Sequence, residues 1–392
     1  MRRLDEVPLD GRRVLVRVDF NVPLEDGRIV EDTRIRAALP TIAYLREHGA
    51  KVILASHLGR PKGPDPKLSL APVARHLAEL TDAHVELAQD VVGPSAQALA
   101  RGLAPGEILV LENVRFEPGE TANDPALAQA FAALADVYVN DAFGSAHRAH
   151  ASTEGVAHLV ADTAAGALLE REVTTLRSLL TDPARPLVAV LGGSKVTDKI
   201  AVIERFLDLA DAVLIGGAMC FPFLRAQGHP VGASLCEDAG VEPARAALAH
   251  GGRAELMLPV DLVLGDRVAA DATRRELDGV DVPEAWIGLD IGARSAARYA
   301  ERIGGAGTVF WNGPMGVFEL EPFAAGTRVV AQAVAGAAGV TVVGGGDSLA
   351  ALARFADPSA VTHVSTGGGA TLELIEGRTL PGVAALEGNA TR

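Results

Sequence analysis

The chain is poor in cysteine, in aromatic side chains and in positive charge. Cys220 and Cys236 are the only cysteines among 392 residues, too few for a disulfide framework, and both lie near apolar stretches where a buried thiol is the plain reading. Aromatics make up 4%. Lys and Arg number 36 against 50 Asp and Glu, a formal charge of −14, which excludes a general nucleic-acid binder. Any anionic ligand must therefore meet a local basic cluster. No uninterrupted apolar run approaches the ~18 residues of a membrane span. Arg2 and Arg3 stand beside Asp5 and Glu6 with no apolar stretch behind them, so no signal peptide is expected. These absences predict a reducing, cytoplasmic setting with neither membrane nor nucleic acid among the partners.

Hydrophobic residues at 48% and charged residues at 22% describe a globular chain, not a disordered, collagen-like or coiled-coil one. At roughly 100–200 residues per domain the length suggests two domains, or at most three. Short β-branched runs alternate with amphipathic stretches rich in Ala, Leu, Arg and Glu. Strands are predicted at 13–18, 51–55, 85–88, 108–112 and 136–140, then at 187–191, 212–215, 255–259, 308–311, 340–343 and 363–365. Runs without strict alternation belong to sheets covered on both faces, and the intervening helices supply right-handed crossovers. The expected fold is α/β, two doubly wound parallel-sheet lobes of the Rossmann-like kind joined by a hinge helix. That helix is predicted at 168–180 and is broken by Thr181-Asp182-Pro183-Ala184-Arg185-Pro186. Domains are accordingly expected at 1–167 and 187–379, with 168–186 between them and a tail at 380–392.

The second half carries five glycine clusters, each after a predicted strand: Gly192-Gly193-Ser194-Lys195, Gly216-Gly217-Ala218, Asn312-Gly313-Pro314, Gly344-Gly345-Gly346-Asp347 and Thr366-Gly367-Gly368-Gly369. Most also open a predicted helix, so free N–H groups and the positive helix end face the carboxyl edge of the sheet, where phosphate is the natural guest. One such cluster is ordinarily a tight turn; five in one half point to a nucleotide. Neither the Walker A nor the dinucleotide spacing occurs at these clusters, which weighs against P-loop and NAD sites. Lys195 and Lys199 are four apart, which places both ammonium groups on one face at a helix start. Asp347 among phosphate-binding amides would repel the ligand unless Mg2+ lay between them. Capping a helix that starts near Ser348 is its other reading.

In the first half five arginines, Arg17, Arg34, Arg60, Arg115 and Arg148, lie at strand ends or just after them. The guanidinium fork suits bidentate grip on phosphate or carboxylate. His57 and His147 are assigned to substrate binding and His150 is left open; no spacing matches a zinc site. Asp19 and Asn21 suit either orienting a substrate hydroxyl or pairing with an arginine.

Taken together, the segments 17–23, 32–35, 56–61, 111–116, 141–150 (DAFGSAHRAH), 191–200 (LGGSKVTDKI), 311–319 (WNGPMGVFE), 344–348 and 365–370 closely resemble the phosphoglycerate kinase family along nearly the whole chain. The resemblance implies 3-phosphoglycerate or 1,3-bisphosphoglycerate on the first lobe, ADP or ATP with Mg2+ on the second, and a C-terminal tail folding back to the first. By position, Asp19, Asn21, Arg34, His57, Leu58, Gly59, Arg60, Arg115, His147 and Arg148 resemble its substrate-binding set. Lys195, Lys199, Gly216, Gly217, Ala218, Asn312, Pro314, Glu319, Gly344, Gly345, Gly346, Asp347, Ser348, Gly367 and Gly368 resemble the nucleotide set, with Asp347 on the metal. Arg34 and Lys199, supported by Lys195, look like the groups stabilising the transferring phosphoryl. Cys220 and Pro222 depart from the commoner family residues. A monomer is expected. The competing readings are a dehydrogenase, which lacks its fingerprint, and a nucleotide-gated binding protein, which would bind without turnover.

Overall fold

The computed structural model describes residues 1–390, and the chain divides into two compact units. The first comprises Met1–Thr174 together with the segment from Gly377 onward; the second is Thr175–Glu376. The linking helix, Ala167–Thr181, contains the boundary. Residues 391 and 392 of the expected tail lie outside the described residues.

In the first unit the strands are β1 (Arg13–Arg17), a two-residue hairpin of β2 (Leu24–Glu25) and β3 (Arg28–Ile29), β4 (Lys51–Ala55), β5 (Val85–Leu87), β6 (Ile108–Val110), β7 (Val137–Asn140) and β8 (Asp162–Ala165). All but the hairpin form one parallel sheet ordered β5-β6-β4-β1-β7-β8. Val14, Val16, Val52, Leu54, Ile108 and Val110 share one core with the helix Thr33–Glu47, which buries Ile35, Ala38, Ile42 and Leu45. Those four positions, spaced three and four apart, form one helix stripe. Each buried Leu or Ile contributes about 1.5–3 kcal/mol relative to exposure. The chain runs from β1 to β4 on one side and returns to β7 on the other, so a switch point lies between β1 and β7. The loops after the strands open there. The final helix, Pro381–Ala390, packs beside β8, where Gly382 N–H donates to the Ala146 carbonyl at 2.9 Å.

The second unit holds β9 (Leu187–Leu191), β10 (Ala212–Ile215), β11 (Glu255–Met257), β12 (Leu262–Gly265), β13 (Arg274–Leu277), β14 (Ile287–Ile291), β15 (Thr308–Asn312), β16 (Val340–Gly344) and β17 (His363–Ser365). Its parallel sheet is ordered β11-β10-β9-β15-β16-β17, which in chain order is the 3-2-1-4-5-6 arrangement with its switch point between β9 and β15. The antiparallel sheet β13-β12-β14 was not anticipated. Its outer strand, RREL, is mostly exposed and shows no apolar run. β8, Asp-Thr-Ala-Ala, escaped for a related reason: alanine and aspartate carry little strand preference.

Candidate active site

Around β1 of the first unit the side chains are organised by buried charge. Arg34, in the first turn of its helix, donates to Asp19 Oδ2 at 2.6 Å, so Asp19 makes an arginine pair. Burial raises the Asp19 pKa, but the Arg34 and Arg17 charges together with the Asn21 N–H outweigh it and hold the carboxyl below its usual range. Asn21 Oδ1 accepts from Gly59 N–H at 2.8 Å. His57 is 5% exposed. Its Nδ1 lies 3.3 Å from an Arg17 Nη; arginine only donates, so Nδ1 is the acceptor and the imidazole proton sits on Nε2. Burial and the Arg17 charge push the His57 pKa down to about 3 against the pull of Asp19, which keeps the ring neutral.

The loop after β4 carries Leu58, whose side chain is buried in the core, then Gly59 and Arg60, and the fully buried Asn113 fixes it. Asn113 Oδ1 accepts from Leu58 N–H at 3.2 Å, and its Nδ2 donates to the Leu58 carbonyl at 2.7 Å and the Leu68 carbonyl at 2.9 Å. Arg115 Nη1 donates to the Gly59 carbonyl. Arg148 Nε donates to His147 Nε2 at 3.1 Å. Arg60, Arg115 and Arg148 converge with Lys62 and His150 on a cavity of about 410 Å³. Asp19, Asn21, Arg34 and His57 lie outside its lining, beside β1.

In the second unit three loops meet at the switch point, main chain against main chain. Gly192 N–H donates to the Asn312 carbonyl at 3.0 Å, Gly193 N–H to Pro314 at 3.1 Å and Gly217 N–H to Met315 at 2.9 Å. A Cβ on Gly192 would lie 2.1 Å from the Pro314 oxygen. On Gly313, whose φ is +103°, it would lie 2.2 Å from the Gly192 oxygen. Asn312 Nδ2 donates to the Gly344 carbonyl at 2.8 Å, and Ser348 Oγ accepts from Gly313 N–H at 2.5 Å, so both side chains bind the loops together. Gly346 differs: its Cβ would meet nothing within 4 Å and its φ is not positive, so neither packing nor backbone conformation demands glycine there.

Lys199 Nζ donates to the carbonyls of Gly192 at 2.7 Å and Asn312 at 3.1 Å. Burial pulls its pKa down to about 8, against Asp347 and Asp198, which raise it. The expectation that Lys195 and Lys199 share a helix face is corrected. The helix starts at Ile200 with Lys199 as its N-cap, and Lys195 is exposed in the loop before it. Val196, fully buried, and Thr197, whose N–H donates to Glu237 at 3.3 Å, hold that loop out of helix. Asp347 does not cap: Gly345 is the N-cap of the helix Gly346–Phe355, and Asp347 stands exposed in its first turn. A second cavity, of about 310 Å³, is lined by Gly217, Ala218, Pro314, Glu319 and Asp347 beside an apolar wall that includes Phe221 and Ile287. Gly367 is buried and Gly368, at φ +54°, precedes the helix Gly369–Ile375.

Asn113, Glu120, Ser152 and Asp290 stand at the two sites without a sequence signal of their own. Asp290 lines the second cavity, and burial pushes its pKa up to about 7 although the Gly326 and Ile291 N–H groups pull it down. Nothing in the local sequence separates Glu120 from the neighbouring Glu117.

A guanidinium-rich cavity at the edge of one doubly wound sheet, and close-packed glycine loops with an uncapped helix start at the edge of another, answer the needs of a phosphotransferase with two anionic substrates. A family model described as phosphoglycerate kinase matches residues 4–378. The chain is 55% identical over 390 residues to the phosphoglycerate kinase of Roseiflexus castenholzii, with 98% of each covered, and 54% identical over 386 residues to that of Moorella thermoacetica, again with 98% of each covered. The solved phosphoglycerate kinase structure from Coxiella burnetii superposes with a TM-score of 0.91 at 42% identity, covering 99% of both chains. That from Pyrococcus horikoshii gives 0.87 at 35%, covering 100% of both. The chain belongs to the phosphoglycerate kinase family and is a kinase of glycolysis; the dehydrogenase alternative falls with that assignment.

Proposed function

We propose that the protein catalyses reversible, Mg2+-dependent phosphoryl transfer between 1,3-bisphosphoglycerate and ADP, giving 3-phosphoglycerate and ATP, as a cytoplasmic monomer. The observation that carries this reading is the convergence of Arg60, Arg115 and Arg148 on one cavity in an acidic chain, matched to the phosphate of a phosphoglycerate. Asp19, Asn21, Arg34, His57, Leu58, Gly59 and His147 complete that half. His57, neutral with its proton on Nε2, donates to substrate oxygen.

The nucleotide half is assigned to Lys195, Lys199, the 216–218 turn, Asn312, Pro314, Glu319, the 344–348 loop, Gly367 and Gly368. The free N–H groups of the 344–348 loop face phosphate at a helix start. Asp347 suits Mg2+, because its carboxylate is exposed and makes no cap bond to its own helix, and one carboxylate with phosphate oxygens and water is an Mg2+ donor set. Among the described residues no three-residue His, Cys, Asp or Glu cluster offers an alternative. When held there, Mg2+ would supply neutralisation of charge on the nucleotide phosphates.

The acceptor carboxylate, with a reference pKa of roughly 3.3–3.9, is ionised at neutral pH, so no general base is required. Catalysis reduces to alignment and neutralisation of spreading negative charge, which Arg34, Lys199 and Lys195 supply. The linking helix and the segment to Pro186 act as the hinge; small-angle scattering should show compaction when both ligands are present and less with either alone. The primary test is a coupled assay with Mg-ATP and 3-phosphoglycerate. ADP release that depends on 3-phosphoglycerate is expected, and its absence from folded protein would overturn the reading.

A further inference from the structure

A carboxylate sits under the cationic cavity, and the reaction as derived makes no use of it. Glu120 is 0% exposed, on the loop after β6 that also carries Arg115. Its Oε2 accepts from Ser152 N–H at 3.0 Å and its Oε1 from Ser152 Oγ at 2.7 Å, while its carbonyl accepts from Ala151 N–H at 3.0 Å. Those partners lie on the loop after β7, which carries Arg148. His150 Nδ1 lies 3.6 Å from Oε1. Ser152 Oγ, itself buried, also accepts from Arg17 Nε at 2.8 Å, and Arg17 reaches His57 Nδ1. A continuous chain of contacts thus joins Glu120, Ser152, Arg17 and His57. Tyr138, fully buried on β7, donates its hydroxyl to the Ser152 carbonyl at 2.9 Å and anchors the same segment from below.

Burial raises the Glu120 pKa, but the His150 contact, the Arg17 charge and the Ser152 bond outweigh it and keep the carboxyl ionised below its usual range. The Arg115 guanidinium feels Glu120 together with Arg148, Arg17 and Arg60. A negative charge here opposes an anionic substrate, and burying it costs solvation. Charge balance alone does not account for the three directed contacts from one loop to the other.

We propose that Glu120 is a positioning residue for phosphoglycerate: its buried carboxylate straps the Arg148 loop to the Arg115 loop and, through Ser152, fixes the Arg17–His57 pair. The proposal rests on the reading of the cavity as the phosphoglycerate site.

The test is Glu120→Gln in the full chain, which keeps the shape but replaces one acceptor oxygen by an NH2 facing donors. 3-Phosphoglycerate binding is measured by calorimetry, and KM and kcat by coupled assay. The expected result is a rise of about tenfold in the Kd and KM for 3-phosphoglycerate, the size of one lost hydrogen bond to a charged group, with KM for Mg-ATP unchanged and kcat moved less than KM. An electrostatic role alone predicts the opposite sign, since neutralising Glu120 would tighten an anion. Unchanged or tighter 3-phosphoglycerate binding would overturn the proposal.

If Glu120→Gln fails to fold, Ser152→Ala decides. It removes the link to Arg17 while leaving the main-chain bond, and should raise the same KM with the same indifference to nucleotide. A wild-type KM in Ser152→Ala, or failure of both variants to fold, would assign the network to stability alone and overturn the proposal. Wild-type protein that binds no 3-phosphoglycerate would instead overturn the reading of the cavity.

Discussion

In the first unit the groups proposed to meet an anion are guanidinium forks on side chains, whose loops are pinned by buried residues such as Asn113 and Glu120. In the second unit the groups proposed for that role are the main-chain N–H groups at the uncapped start of the helix Gly346–Phe355, beside loops packed so closely that Gly192 and Gly313 have no room for a Cβ. On the proposed assignment the contrast follows from what each substrate demands. A small phosphorylated acid is recognised by the positions of a few strong charges, which long side chains reach only when a buried network fixes them. A polyphosphate is a longer anion that the backbone itself can follow, and close approach requires glycine. Substitutions should therefore fail differently in the two units.

The largest effect is expected where either unit supplies a cation to the transferring group. Arg34→Ala and Lys199→Ala should each lower kcat by about 10²–10³-fold, the ~2.7–4 kcal/mol typical of a preorganised electrostatic group, with melting temperature preserved for Arg34→Ala. Near-normal kcat in Arg34→Ala would remove it from the catalytic set.

Two glycines sharpen the contrast. Gly313→Ala forces a Cβ against the Gly192 carbonyl at positive φ and should destabilise the protein by about 1–3 kcal/mol, read as a lower denaturant midpoint. Gly346→Ala meets open space at a helix start and should leave stability unchanged or raised by about 0.4–1 kcal/mol, while raising KM for nucleotide. Equal losses of stability would mean that both glycines serve packing.

A smaller effect distinguishes the units by pH. The Lys199 ammonium, lowered to about 8 chiefly by burial, loses its proton as pH rises, so kcat/KM for Mg-ATP should fall above about pH 8, the free-enzyme profile. His57, lowered to about 3, stays neutral throughout this range and should add no limb near its ordinary value of 6.5. Lys199→Arg should abolish the basic limb, because guanidinium does not titrate there. Asp347→Asn should raise the Mg2+ requirement; an unchanged titration would remove Asp347 from the metal.

The strands most visible in the sequence were those with β-branched runs buried on both faces, such as β4 and β9, whose bounds match expectation residue for residue. β8 and β13 were invisible because their residues carry no such run. In the candidate site, identities at strand ends were legible: Arg60, Arg115 and Arg148 do meet in one cavity. Their supports were not, because Glu120 and Ser152 are joined across 32 residues of chain and neither belongs to a local pattern. The helix face expected for Lys195 and Lys199 failed because a contact with Glu237, 40 residues from Thr197, overrides local spacing.

The central claim is that each unit binds one substrate through its own kind of donor. Crossed calorimetry tests it most directly, with 3-phosphoglycerate and Mg-ADP each titrated into wild type, Arg60→Ala and Gly346→Ala. The account predicts that Arg60→Ala weakens 3-phosphoglycerate by about tenfold, one charge-assisted contact, and leaves Mg-ADP untouched, with Gly346→Ala showing the reverse. Either variant weakening both ligands alike, or only the other unit's ligand, would contradict it.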